Sequence, residues 1–452
     1  MAMEKIKEIY CCKQCGYESA TWQGKCPACG EWNSFTEIEK IVGKGGKEVK
    51  HRGFKTPEPV NLTQIRPESG KRIQTGNSEF DCVLGGGIVP GGVTLLGGEP
   101  GVGKSTLMIQ LSEWLSQLGL KTLYISGEES QTQIKLRSER LGITGDNIRL
   151  YCTTSTEDIA NEVEKTKPDM VVIDSIQSTY TARLDNIAGS VTQLRENTAV
   201  FTRLAKSLDI PIFIIGHITK DGAVAGPKLI EHAVDTVLYF ESDNRNYYKI
   251  LRTTKNRYGS TNEIGIFKMT QLGLKEVDNP NFIFLNEEEK AVGTSVGCIL
   301  EGSRVFLAEV QSLVNAANYG NPQRVANGFE HKKLALYLAI IERNLGVSLR
   351  NFDVFVSLMG GIKVSEPGLD LAVIASILSS FKDSPIPGKA VFIGEVSLSG
   401  IVRPVRMIEK KIAEAEKLGF DKIFVSSGCK LTKKHDRVIK IQHIDGIMRN
   451  LF

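Results

Sequence analysis

No apolar run in this 452-residue chain approaches the roughly 20 residues that a helix needs to cross a bilayer. The opening stretch, "MAMEKIKEIYCCKQCG", has neither a hydrophobic core nor a small-residue cleavage site. No signal peptide is therefore expected, and the chain is expected to be cytoplasmic. A spread of paired cysteines is also missing. Five of the nine crowd into the first 29 residues and the others stand alone, which excludes a secreted disulfide scaffold. Net charge is slight, at +4, and by itself points to no polyanion. The exception is local: from Lys40 to Lys55, six Lys or Arg face one acidic residue, Glu48, among several glycines. That composition makes a flexible basic linker, suited equally to a solvated tether and to a nucleic-acid contact. The length exceeds one ordinary core, so roughly two or three domains are expected.

What the N-terminus does have is a metal-ligand spacing. In "CKQCGYESATWQGKCPACG" two residues separate Cys12 from Cys15, ten follow, and two separate Cys26 from Cys29. Gly16 and Gly30 follow the two pairs and permit a tight turn in which backbone amides face the sulfurs. Four thiolates suit Zn²⁺, and a bound metal would fold a segment too small to fold alone. A redox pair is the weaker reading, because the βαβ context is missing. Cys11 competes as a ligand but breaks the spacing. Trp22 and Trp32 are expected to pack in the ribbon's small core rather than to form a base-stacking platform. The ribbon is assigned to residues 1–40 and the basic linker to 41–60.

"GGVTLLGGEPGVGKSTLMIQLSEWLSQLG" runs from an apolar strand, Val93 to Leu96, through a glycine-rich turn into a helix. Leu107, Leu111, Leu115 and Leu118 recur at helical spacing after it. This is the phosphate-loop pattern in its strand–loop–helix context. Gly98, Glu99, Pro100, Gly101, Val102, Gly103, Lys104, Ser105 and Thr106 are the expected nucleotide-binding residues. Backbone amides would cradle the phosphates, Lys104 would neutralise the β and γ oxygens, and Ser105 would hold Mg²⁺. Three further apolar runs end in polar groups: "KTLYISGEES" in Glu128 and Glu129, "PDMVVIDSIQS" in Asp174, and "IPIFIIGHITKDG" in His217. A carboxylate at the first can polarise attacking water, Asp174 suits the Mg²⁺ shell, and His217 is placed to sense the γ-phosphate. A helix cap, a surface charge or a packed core histidine is the plainer reading of each alone. Their shared position favours function, because parallel strands set their carboxyl ends on one ligand-binding edge.

The order of these elements resembles the RecA/DnaB-type core. Together with the cysteine ribbon and "KNRYG" at Lys255 to Gly259, essentially the whole chain resembles the bacterial RadA (Sms) recombination family. That family's signature usually carries Phe where Tyr258 stands. The resemblance implies an α/β fold with a RecA-like, mainly parallel ATPase sheet, here assigned to residues 61–285. It implies a DNA-dependent ATPase and ring helicase that drives branch migration and D-loop extension in homologous recombination and DNA repair. ATP, Mg²⁺ and Zn²⁺ would be the cofactors. Single-stranded DNA, recombination intermediates and a recombinase would be the partners, with a hexameric homo-oligomeric ring and no membrane. Glu128, rather than Glu129, aligns with the RecA catalytic glutamate. Lys255 and Arg257 alternate on one face after "YYKILRTTK", where they could reach the γ-phosphate of a neighbouring subunit as arginine fingers do; a solvated basic turn is the alternative. Arg183, Lys220 and Lys228 lie in two polar loops placed where a RecA-like core sets its DNA loops. Only Tyr180 offers a stacking ring there. A KaiC-like, nucleotide-timed ring with protein partners would share the paired glutamates but not the ribbon or the tail.

From about residue 287 strand-like and helical segments alternate, and residues 286–452 resemble the α+β proteolytic domain of Lon proteases. A Lon peptidase needs a serine activated by a lysine. In "KVSEPGLDLAV", Gly368 stands at the nucleophile position and Ser365 lies on the wrong side of Pro367. The lysine position falls near Glu409 or the adjacent Lys410. No peptidase activity is expected. The domain is expected to scaffold the ring and assist DNA binding, with Arg304, Arg324, Lys332, Lys333 and Arg343 as candidates for a DNA-facing surface.

Overall fold

The cysteine segment folds as a small antiparallel sheet, in which β1 (Lys5–Cys12) pairs with β2 (Glu18–Ser19) on one edge and β3 (Phe35–Val42) on the other. Its core is slight: Cys26 and Phe35 are buried, with Tyr10 against them. So little apolar area cannot offset the entropy of ordering the chain without a staple. The computed structural model describes residues 5–12, 18–19, 21–27, 30, 32–42, 61, 72–217, 227–242, 248–261, 263–277, 285, 291–317, 321–359, 364 and 366–451. Two units result, Met1–Arg66 and Pro67–Phe452.

The second unit opens with α1 (Ser78–Val83), capped by the Asn77 side chain, and β4 (Val93–Gly98). There follow α2 (Lys104–Gln117), β5 (Thr122–Ser126), α3 (Gln131–Arg140), β6 (Ile148–Cys152), α4 (Thr156–Thr166), β7 (Met170–Asp174), α5 (Val191–Leu208) and β8 (Ile212–His217). The apolar runs become β4, β5, β7 and β8, buried almost throughout, as strands covered by crossover helices on both faces must be. β9 (Thr236–Ser242) lies parallel to β4, and β10 (Tyr248–Asn256), β11 (Ile264–Thr270) and β12 (Gly273–Glu276) add an antiparallel wing. The nine-stranded order is β12-β11-β10-β9-β4-β8-β7-β5-β6. One core lies under α2 and a second under α5. Leu107, Leu111 and Leu115 face inward as their spacing predicts, whereas Leu118 is 56% exposed because the helix ends there.

A second, mixed sheet carries the C-terminal region. Its elements are β13 (Thr294–Glu301), β14 (Arg304–Ala316), β15 (Arg324–Asn327), α6 (His331–Leu345), β16 (Phe352–Leu358), α7 (Asp370–Lys382), β17 (Ala390–Ile393), β18 (Glu395–Val396), β19 (Val402–Arg403), α8 (Ile408–Lys417), β20 (Lys422–Ser426), β21 (Val438–Ile441) and α9 (Asp445–Leu451). The order is β15-β16-β14-β13-β17-β20-β21, with β18 and β19 as a separate hairpin. Residues 370–379 of α7 are buried without exception, making it the central helix of this region. Its hydrophobic core is continuous with Ile250, Ile264 and Ile266 of the first sheet's antiparallel wing.

Candidate nucleotide site

The turn between β4 and α2 is built by glycines that no other residue could replace without strain. Gly103, the N-cap of α2, has φ +116°, and Gly101 has φ +76°. A Cβ on Gly98 would meet the Phe240 carbonyl oxygen at 2.5 Å. The freed space and the helix N-terminus form a concave, donor-lined turn of the kind that takes a phosphate chain. Lys104 Nζ donates to the carbonyls of Gly98 and Glu99, both at 2.9 Å, and the residue is 3% exposed. Burial lowers its pKa to about 8, while Asp174 and Glu128 hold it from falling further.

The carboxyl ends of the neighbouring strands bring the other expected groups to the same edge. Asp174 is buried at the end of β7 and accepts a 2.7 Å bond from the Tyr124 hydroxyl. Burial, with that contact adding to it, pushes the Tyr124 pKa well up. Glu128 Oε1 accepts from the Ser175 hydroxyl and lies 3.4 Å from His217 Nε2 at the end of β8. The Glu128 carboxyl is drawn down to about 2, chiefly by the His217 ring, with Ser175 adding to the effect and burial opposing it. The His217 contact is a 3.4 Å approach, and both ring nitrogens are buried with no hydrogen-bond partner. Glu129 instead pairs with Arg137 Nη1 at 2.8 Å, so only Glu128 of the two faces this cluster. Gln177, which the sequence reading missed, donates to the His217 carbonyl at 3.2 Å and leaves its buried Oε1 unpartnered.

Lys255 and Arg257 stand elsewhere. Lys255 Nζ donates to the carbonyls of Glu231, His232 and Val234 at 2.7, 3.2 and 2.8 Å, and burial lowers its pKa. Arg257 Nη1 pairs with the buried Asp235 at 2.9 Å and is half exposed. Asp235 also accepts from the Val93 amide, at the start of β4. Since Lys255 pairs with Val237, which lies beside Leu95, and Phe240 pairs with Gly98, Lys255 sits about 10 Å along the strands from its own phosphate loop, and Arg257, two residues further on, lies beyond it. They occupy the opposite edge of the sheet.

Comparison with known proteins bears on this geometry. Residues 10–37 match the family described as rubredoxin metal binding domain, 59–223 the AAA domain, and 335–428 subunit ChlI of Mg-chelatase. The chain is 48% identical over 426 residues to the DNA repair protein RadA of Listeria monocytogenes, covering 94% of this chain and 93% of that one. With the DNA repair protein RadA of Bacillus subtilis it shares 45% over the same length and the same coverage. The chain belongs to the RadA family. A solved structure titled "Crystal structure of the RadB recombinase" covers 45% of this chain and 99% of its own at 23% identity, with a TM-score of 0.37.

In this RadA-family chain the first sheet is the mainly parallel α/β core that the sequence led us to expect. The loop after β7 is held by a buried glutamine: Gln193 accepts from the Thr181 amide and donates to the carbonyls of Thr181, Leu184 and Asn186 at 2.9 to 3.3 Å. Arg183 on that loop is exposed, 3.9 Å from Glu157. Lys228 is exposed, and Lys220 lies outside the described residues. Among the described residues no helix is long and apolar enough to cross a membrane.

In the ribbon, Gly30 (φ +76°) donates its amide to the Cys26 carbonyl at 2.8 Å, the turn expected after the second cysteine pair. Cys15, Cys29 and the Cys12 side chain lie outside the described residues, and among the described ones no cluster of metal-binding side chains forms. Trp22 and Trp32 are 54% and 68% exposed, not packed inside as the sequence suggested. Cys26 and Phe35 already fill the small core, and the indoles flank Gly24 outside it.

Two further expectations are corrected in the C-terminal region. The lysine opposite Gly368 is neither Glu409's position nor Lys410 but Lys411. It is fully buried, pairs with Glu366, and lies 3.0 Å from where a Gly368 Cβ would stand. Lys410 is exposed, and Glu409 accepts from the Thr432 amide. Arg304 does not face outward as a DNA contact, because it pairs at 2.6 Å with the buried Glu79 of α1. Arg324 is partly buried, with Nη2 3.4 Å from the Leu349 carbonyl, whereas Lys332 and Arg343 are exposed.

Proposed function

We propose that the chain is a DNA-dependent ATPase that works as a hexameric ring, driving branch migration and D-loop extension during recombination and repair. The observation that carries this reading is the split of charged groups between the two edges of one sheet. Lys104, Glu128, Asp174 and His217 converge on the phosphate loop, while Lys255 and Arg257 are held at the far edge. Cations so placed are of no use to their own site and suit the site of a neighbouring copy.

The cradle left by Gly98, Gly101 and Gly103 fits a nucleoside triphosphate, and Ser105 with Asp174 fits its Mg²⁺. Mg²⁺ there would neutralise charge developing on the phosphate oxygens. Lys104 would carry its ammonium to the β and γ oxygens, and Glu128, kept ionised by His217 and Ser175, would orient the attacking water. The unpartnered His217 ring would register the γ-phosphate and relay it through Gln177 toward the loop after β7. The RadA relatives are DNA repair proteins by name, which favours single-stranded DNA, recombination intermediates and a recombinase as partners. Arg183, Lys220 and Lys228 are the proposed phosphate contacts. Zn²⁺ on Cys12, Cys15, Cys26 and Cys29 would staple a ribbon whose own core is too small. With Gly368 lacking a hydroxyl and Lys411 committed to Glu366, the C-terminal sheet is read as a scaffold without peptidase activity.

The test is the ATPase rate of the purified protein with and without single-stranded DNA across a salt series. The expected result is a rate that rises with DNA and loses that rise as salt increases. A rate indifferent to DNA at every salt concentration would sink the reading and favour a ring that answers to protein partners.

A further inference from the structure

The Lys255–Gly259 loop leaves the sheet between β10 and β11, and the structure shows what holds it. From below, Arg72 donates to the carbonyls of Leu84, Gly85 and Tyr258. Asn256 Nδ2 donates to the Leu84 carbonyl at 3.1 Å, its Oδ1 accepts the Tyr258 amide at 2.9 Å, and Thr253 Oγ1 donates to the Val83 carbonyl at 2.6 Å. The loop thus rests on the C-terminal end of α1.

The second hold comes from the C-terminal sheet. The turn between β13 and β14, residues 301–304, reaches across to the ATPase sheet. Glu301 Oε2 accepts from Arg252 Nη1 at 2.8 Å, three residues before Lys255. Ser303 donates its amide and hydroxyl to Glu263 Oε2 at 3.1 and 2.9 Å, four residues after Gly259. Arg304 Nη1 pairs at 2.6 Å with Glu79 of α1, a residue 5% exposed whose Oε2 also accepts the Ile266 amide at 2.8 Å. One turn therefore grips the strand entering the loop, the segment leaving it and the helix beneath it.

We infer that the 301–304 turn is a positioning clamp for the Lys255–Gly259 loop, with Arg304 its central residue, fixing the pose in which Lys255 and Arg257 meet a nucleotide bound by a second copy of this chain. The inference rests on the shared-site reading above and names the part of the C-terminal region that serves it. Arg304 meets Glu79, the Ile264 carbonyl and the Phe306 ring rather than the loop cations. It acts through Glu79, because loss of its charge would leave a buried carboxylate unpaired and let α1 and β11 shift. A catalytic group displaced by about 1 Å loses on the order of a hundredfold in rate, so small shifts suffice.

The experiment combines steady-state ATPase, binding of a fluorescent ATP analogue and mixed rings. Arg304→Gln is expected to lower kcat roughly tenfold to a hundredfold with the analogue's Kd unchanged. Arg304→Lys, which keeps a cation for Glu79, should recover much of that rate. Arg252→Gln breaks the partly exposed pair with Glu301 and gives the same pattern should Arg304→Gln fail to fold. Wild-type kcat in folded Arg304→Gln or Arg252→Gln overturns the clamp.

Mixing each variant with Lys104→Ala copies, which bring an intact loop but a disabled phosphate site, separates the two readings. Arg257→Ala mixed with Lys104→Ala should exceed the sum of its parts, and so should Arg304→Gln mixed with Lys104→Ala. Recovery in the first mixture alone overturns the clamp and leaves the shared site standing. Recovery in neither overturns the shared site, and the clamp with it.

Discussion

Lys104 is a cation kept out of water, and its chemistry makes its pH dependence readable. In the folded chain its pKa is near 8 against an ordinary 10.5, so the unfolded chain holds that proton more tightly. This group's contribution to the fold therefore improves as pH rises through 8 toward 10.5, because the unfolded state alone stays protonated. Nucleotide affinity runs the other way, since phosphates favour the ammonium. The affinity of an ATP analogue should decline above about pH 8, with proton uptake on binding visible by calorimetry in buffers of different ionisation heat. An affinity flat across that range, without proton uptake, would show that this ammonium does not serve the phosphates. Lys104 was legible in the sequence through the phosphate-loop spacing, and Asp174 and His217 because each ends an apolar run. The sequence preferred Glu128 to Glu129 by alignment alone, whereas their different surroundings, Arg137 beside Glu129 and His217 beside Glu128, appear only in three dimensions. The Arg304–Glu79 pair spans 225 positions, and no local pattern announces it.

Among the elements, α8 shows how far a short slip carries. Each residue turns a helix by about 100°, so an alignment off by one or two exchanges a buried face for a solvent face. Glu409 and Lys410 point outward while Lys411 is enclosed, and the adjacent sequence "MIEKK" offers no way to choose. Its partner Glu366 also accepts the Leu300 amide, so this pair ties α8 to β13. Lys411→Met should destabilise the chain by about 3 kcal/mol or more, because Glu366 is left without its countercharge. Lys411→Met with Glu366→Gln should recover part of that loss. Denaturant melts of the two variants decide it, and equal stability of the single variant and wild type would mean the pair contributes nothing. The ribbon is the opposite case. Its cysteine spacing was plain in the sequence, whereas the outward placement of Trp22 and Trp32 depends on how little volume Phe35 and Cys26 leave.

At the scale of the molecule, the first sheet was legible strand by strand because its parallel strands read as unbroken apolar runs. The mixed C-terminal sheet was legible only as alternating texture, since its long-range pairings, such as Gly297 with Phe392, leave no periodic trace. Nor did the sequence show that Ile250, Ile264 and Ile266 share a core with α6 and α7. That shared core should hold the two sheets together without backbone continuity once folding is complete. A single proteolytic nick between residues 277 and 291 should give two fragments on a denaturing gel that still elute together from a sizing column. Separate elution would mean the covalent link alone had kept them side by side. The nicked protein would then behave as a tight heterodimer made from one gene, held by buried isoleucines and the Arg304–Glu79 and Arg252–Glu301 pairs.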